Sequence, residues 1–120
     1  MTTTERGRWG EGLAVIHLEK SGIQVVERNW RKGRYEIDVI GKQSNVWIFV
    51  EVKVRKFGYA ETAFESVDLF KQQRIISAAD RFLKHQDREG AATRFDILCI
   101  EYSRENHRIQ HIEDAFICMP

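Results

Sequence analysis

Apolar residues recur along this chain with two periods, and the places where the period changes mark its elements. From about Glu5 to Lys20 the stripe Trp9, Leu13 and Ile16 repeats at helical spacing, Glu11 falls on the following face, and Gly22 is placed to end the helix. Ile23 to Trp30 then reads as a strand. Arg31-Lys32-Gly33 supplies a turn, Arg34 to Gly41 a second strand, and Lys42-Gln43-Ser44-Asn45 a second turn before a third strand from Val46 to Arg55. The run Val46 to Val50 is apolar at every position, which predicts a central strand covered on both faces. Between Asp68 and His85, Leu69, Ile75, Ile76, Ala79, Phe82 and Leu83 return at helical spacing, with Asp68 placed as the N-cap. Glu89-Gly90 breaks that pattern, Arg94 to Glu101 reads as a buried strand, and Ile109 to Ile117 reads as an edge strand. The order αβββαββ predicts an α/β fold, a mixed β-sheet flanked by helices, with residues 1–120 forming one domain.

Composition narrows the setting. Hydrophobic residues at 42% and charged residues at 31% suit a globular protein with a real core. The longest apolar run falls far short of the roughly 20 residues a membrane span needs, so no membrane partner is expected. The amino-terminal stretch Met1 to Arg6 lacks the apolar core of a secretory signal, and the expectation is a cytoplasmic protein with reduced Cys99 and Cys118. Cys99 reads as a small core residue and Cys118 has no Cys-X-X-Cys partner. A formal charge of +1 gives little long-range attraction to a polyanion. Local clusters matter more: Arg28, Arg31, Lys32 and Arg34 surround Trp30, while Arg55 and Lys56 follow Lys53.

The strongest chemical signal lies between those clusters. Asp38 sits in Tyr35-Glu36-Ile37-Asp38-Val39-Ile40, and Glu51 and Lys53 sit in the next strand. Strand side chains alternate, so Glu51 and Lys53 share one face while Val50, Val52 and Val54 take the other. Two carboxylates about 4 Å apart repel by about 4 kcal/mol at an effective dielectric near 20, so they must protonate, separate or capture a cation. Hard oxygen donors without thiolates suit Mg²⁺ or Mn²⁺, and such an ion would hold a phosphodiester.

Other polar residues have plainer readings. Glu36 shares a face with Asp38 by alternation and is ranked first as a structural partner of Arg34 or Lys53. His107 and His111 are spaced as a metal pair, but the preferred reading is a solvated edge strand. Asp96, after Phe95, is expected to anchor a turn or Arg94. Trp9 and Trp47 fit core stripes, leaving Trp30 as the aromatic that could stack on a base.

Taken together, Gly10-Glu11, Asn29, Glu36-Ile37-Asp38, Phe49-Val50-Glu51-Val52-Lys53, Arg55, Phe57-Gly58, Lys71 and Arg94-Phe95-Asp96 resemble the uncharacterised YraN-like family over roughly Gly7 to Ile100. That family looks like a branch of the PD-(D/E)XK, restriction endonuclease-like nucleases, similar to archaeal Holliday-junction resolvases. The resemblance implies a Mg²⁺- or Mn²⁺-dependent endonuclease acting on DNA, including branched DNA, with a homodimer as its assembly. By the same resemblance Asp38 and Glu51 are metal ligands, Val52 lends a backbone carbonyl, Lys53 stabilises the transition state, and Glu11 completes the acidic cluster. Lys71 becomes a candidate to approach the phosphate, beside Arg31, Lys32, Arg34, Arg55 and Lys56 as nucleic-acid contacts. Two positions depart from the pattern: Tyr35 stands where the family has Gly, and Val54 where Thr is commoner. The alternative is a non-catalytic nucleic-acid-binding or protein-interaction module on the same fold.

Overall fold

In the computed structural model, which describes residues 1–117, the elements are α1 (Thr3–Lys20), β1 (Gln24–Lys32), β2 (Tyr35–Gln43), β3 (Val46–Lys56), α2 (Leu69–His85), β4 (Ala92–Tyr102) and β5 (His107–Phe116). The order αβββαββ is the one the sequence pattern predicts. Helix α1 starts two residues before Glu5 because Thr2 and Glu5 form a capping box that satisfies the first free N–H groups. Asp68 caps α2 by accepting the Lys71 N–H at 2.8 Å, which fixes where Lys71 leaves the helix.

The strands form one mixed sheet in the order β1-β2-β3-β4-β5. Neighbours are antiparallel except β3 and β4, which run parallel with α2 in the connection between them. A parallel pair needs such a crossover, and it lays α2 across one face of the sheet. Strand β3 is central and apolar on both sides, as its sequence requires.

Each helix covers one face. Trp47, Phe49, Phe95, Ile97 and Cys99 meet Ile75, Ala79 and Phe82 on the α2 side. Val39, Ile48, Val50, Leu98 and Ile100 meet Ala14 and Leu18 on the α1 side. The buried stripe of α1 is Gly10, Ala14 and Leu18, rather than Trp9, Leu13 and Ile16, and Ile16 is 51% exposed. Close approach explains the shift. A Cβ built on Gly10 would lie 2.2 Å from Val54 Cγ2, so the helix reaches β3 only through its smallest residues, and Trp9 and Leu13 flank the contact.

Trp30 also differs from expectation, since it packs edge-on against Phe82 with ring centroids 5.7 Å apart. All three tryptophans therefore pack against the two cores. The reading of β5 as a solvated edge fails at His111, whose side chain is only 8% exposed. Cys99 is a free, buried thiol, whereas Cys118 lies outside the described residues. Among the described residues no helix is long and apolar enough to cross a membrane.

Candidate functional site

The site is built where β2 and β3 part. Their pairing runs from Gln43 and Val46 to Val39 and Val50 and ends there. One step further the Val52 N–H, which a regular ladder would give to a β2 carbonyl, is accepted by Asp38 Oδ2 at 2.8 Å. A strand residue presents its N–H and C=O toward the same edge, so the Val52 carbonyl faces the same gap. Local distortion turns Asp38 to this task. Ile37 and Val39, two residues apart, belong to cores on opposite faces, so the alternation of β2 breaks at Asp38. Across the ladder in β1, Asn29 takes a left-handed φ of 51°, a conformation asparagine tolerates better than most residues.

Glu51 follows Phe49 on the α2 face and is 8% exposed. Its carboxylate receives Lys71 Nζ at 3.2 Å, so the first turn of α2 closes the gap from above. The Asp38 carboxyl is pushed up to about 8, first by burial, then by the hydrogen bond and repulsion it shares with Glu51. The Val52 N–H and Lys71 pull the other way without offsetting them. The shift favours the protonated form of Asp38 at neutral pH, the form able to donate to Glu51.

The remaining sequence candidates distribute around this pair. Lys53 is half-buried two residues beyond Glu51 and lines a cleft of about 210 Å³ with Arg55, Tyr59 and Ser66. The amine at ion-pair distance from Glu51 is that of Lys71 rather than Lys53. Glu11 stands on α1, where its Oε1 accepts Asn29 Nδ2 at 2.5 Å and Arg28 Nη2 at 3.4 Å. It braces the distorted stretch of β1 opposite Asp38. Among the described residues no three His, Cys, Asp or Glu side chains gather as a ready metal cage.

Arg31 is engaged by Glu36 at 2.8 Å, its cross-strand partner, so Glu36 has the structural role foreseen but with Arg31 rather than Arg34 or Lys53, and Lys32 meets His85. Arg55 is turned inward, 10% exposed, toward Glu101 at 3.9 Å and beneath the Tyr59 ring at 5.2 Å. Lys56 is exposed beside Phe57 and Tyr102. Arg34 is exposed, and its carbonyl accepts Arg74 Nη2 at 3.0 Å. The residues that sequence reading passed over are Phe70, Arg74 and Arg81 on the outward side of α2. Their helical spacing on its polar face was the available signal.

A second acidic centre lies on the other face of the sheet. Asp96 is fully buried, and Arg94 grips it with two bonds of 2.9 and 2.8 Å, the anchoring role the sequence suggests. The register of β4 and β5 slips between Phe95 and Ile97, Asp114 adopts a φ of 53°, and Asp96 Oδ1 accepts the Asp114 N–H at 2.9 Å. His111 Nε2 donates to Asp96 Oδ2 at 2.8 Å, leaving its Nδ1 to accept from His17 Nε2 at 3.1 Å. Burial pushes the Asp96 carboxyl up, but the bonds from His111, Arg94 and Asp114 outweigh it and hold the group below the usual carboxylate range. His17 is lowered by burial and then by His111.

The donor set in the β2–β3 gap suits a hard divalent cation: two neighbouring carboxyls, one pushed toward its protonated form by burial and by the other, with a backbone carbonyl at the same edge. Asp38, Glu51 and Val52 are the residues that would hold it.

A family model described as "Uncharacterised protein family UPF0102" matches residues 10–100. The chain is 39% identical over 112 residues to a UPF0102 protein of Bacteroides thetaiotaomicron, covering 93% of this chain and 92% of the relative. It is 39% identical over 128 residues to one of Chloroherpeton thalassium, covering 99% and 98% respectively. A relative in Geobacter metallireducens is 38% identical over 110 residues, with 92% and 90% covered. This chain belongs to the UPF0102 family.

Proposed function

We propose that this UPF0102 protein is a divalent-metal-dependent endonuclease of the PD-(D/E)XK type that hydrolyses phosphodiester bonds in DNA. The observation that carries the reading is the adjoining pair Asp38 and Glu51, short of positive charge in a gap the fold opens between two strands. A bound Mg²⁺ or Mn²⁺ supplies Lewis-acid neutralisation of the phosphate. The chain's own residues do the rest. Asp38 is steered by Val52 N–H, Glu51 is oriented by Lys71, and Lys53, on the same face, offsets charge developing on the phosphorus oxygens. Glu11 holds Asn29 and so the distortion that aims Asp38. Cleavage of a branched substrate on two strands would require two such centres, which a homodimer supplies.

One observation favours the non-catalytic alternative. Protonated Asp38 and the Lys71 ion pair already neutralise much of the pair, so the site is stable as a structural feature. Two measurements separate the readings. Titration calorimetry with Mn²⁺ is expected to give heat that disappears in Asp38→Asn. Labelled linear, flap and four-way-junction DNAs are expected to be cut by the wild type with Mg²⁺ or Mn²⁺, at rates lowered at least about a hundredfold in Asp38→Asn and Lys53→Ala. DNA binding with no cleavage by any form would favour the binding module.

A further inference from the structure

The outward side of α2 and the adjoining β1–β2 turn carry an alternation of aromatic rings and guanidinium groups that the acidic pair does not use; of these, Tyr35 is half-buried and also packs against the α2-side core. Phe70 is 71% exposed, with Arg74 Cζ 5.8 Å from its ring centre. Arg74 is pinned to the Arg34 carbonyl at 3.0 Å. Next along the helix, Arg81 Cζ sits 4.3 Å from the Tyr35 ring centre, and its Nη2 donates to the Tyr35 hydroxyl at 3.3 Å. Clefts of about 260 and 380 Å³ open on either side of Tyr35. A third, of about 70 Å³, joins Arg34, Tyr35 and Arg74 to Lys71, which is the residue bonded to Glu51. The carboxylates along this track are engaged: Glu36 by Arg31 at 2.8 Å and Asp80 by Lys84 at 3.0 Å.

We propose that this stripe binds an unstacked, single-stranded DNA segment, its bases stacking on Phe70 and Tyr35 and its phosphates meeting Arg74, Arg81 and Arg34. This rests on reading Asp38 and Glu51 as the cleavage site and names the substrate class that site receives: DNA with a single-stranded arm or splayed junction beside the scissile phosphate.

The charge and the rings select this occupant together. Every base has a π-face, so ring stacking tolerates any sequence, and guanidinium groups follow the backbone. A continuous duplex keeps its bases stacked inside, so it would meet the arginines and leave both rings unused. A purely apolar protein surface would bury the guanidinium groups without anions. Tyr35, the departure from the glycine of the resembled pattern, thereby acquires a role as a platform at the mouth of the site.

The test is equilibrium binding in EDTA, read by fluorescence anisotropy, of a labelled 12-nucleotide single strand carrying 2-aminopurine and of the same sequence as a duplex. Expected for the wild type is a clear preference for the single strand, with quenched 2-aminopurine emission. Tyr35→Gly and Phe70→Ala are each expected to weaken single-strand binding roughly five- to hundredfold and to abolish the quenching while duplex binding stays the same. Phe70→Trp is expected to restore both. Circular dichroism of each variant keeps a folding defect from imitating the loss. Equal affinity for duplex and single strand, or unchanged quenching in both aromatic variants, overturns the proposal. So does a Phe70-dependent dimer of the free protein that excludes the strand. Because binding is read without metal, a wild type that stacks the strand but never cuts DNA with Mn²⁺ upholds the stripe and removes the nuclease reading. A wild type that cuts duplex DNA with no single-strand preference does the reverse.

Discussion

Asp38 and Asp96 hold matching posts on opposite faces of one sheet, and the protein treats them in opposite ways. Each carboxyl stands where a strand ladder breaks and accepts a backbone N–H that lost its partner, Val52 in one case and Asp114 in the other. Around Asp96 a two-pronged guanidinium matches the carboxylate's charge, an imidazole and a backbone N–H add further donors, and the group stays ionised. Around Asp38 the nearest charged neighbour is another carboxyl, and the one close amine pairs with Glu51. The first arrangement is a staple and the second is a vacancy for positive charge. Residue type and backbone role are the same in both. What differs is the charge balance of the neighbours, and that balance marks Asp96 as a structural acid and Asp38 as the candidate for chemistry.

Neutralising each acid should break the symmetry most visibly. Asp96→Asn strips the charge from a fully buried group and leaves Arg94 only the more distant, exposed Glu113 at 4.0 Å, so urea unfolding should show a loss of about 3 kcal/mol. Asp38→Asn should move the other way in the metal-free protein. Its folded value of about 8 lies above the ordinary 3.8. The favourable contribution is therefore complete below about pH 3.8, erodes as pH rises, and is gone above about pH 8. At pH 9 the asparagine variant should be more stable than wild type by at least about 1 kcal/mol, and equal or lower stability would contradict the charge-poor picture.

Metal affinity sharpens the contrast. Since a cation must displace the proton on Asp38, Mn²⁺ binding measured by calorimetry should strengthen as pH rises toward about 8 and release a proton. Asp96→Asn, where the protein remains folded, should leave that profile intact. The smallest effect belongs to the rim of the Asp96 centre. His17 is lowered from 6.5, so the folded state resists its protonation, and its contribution is complete above that pH and fades below it. His17→Gln should flatten the stability profile below about pH 6.5 by less than about 1 kcal/mol.

The element order was legible because apolar spacing changes period between helix and strand, turn residues separate β1, β2 and β3, and Asp68 announced the start of α2. The carboxyl pair was legible as a candidate because Glu51 and Lys53 lie in a strand that had to be central and Asp38 in the strand before it. Three features were not. The face of α1 was misread because large residues catch the eye, whereas contact depended on Gly10 and Ala14, whose value lies in what they lack. His111 joins His17 across 94 positions of chain, a pairing no local pattern encodes. Arg55, one of a basic run in sequence, turns inward to Glu101 because strand alternation ignores charge.

By itself the sequence determined which segments are helix and strand and that Glu51 and Lys53 share a face, because backbone geometry makes those consequences of spacing. Only the tertiary structure decided that Asp38 would abandon regular alternation, meet Glu51 and favour its protonated form. Desolvation and carboxyl repulsion act through space, between groups that the folded sheet brings together.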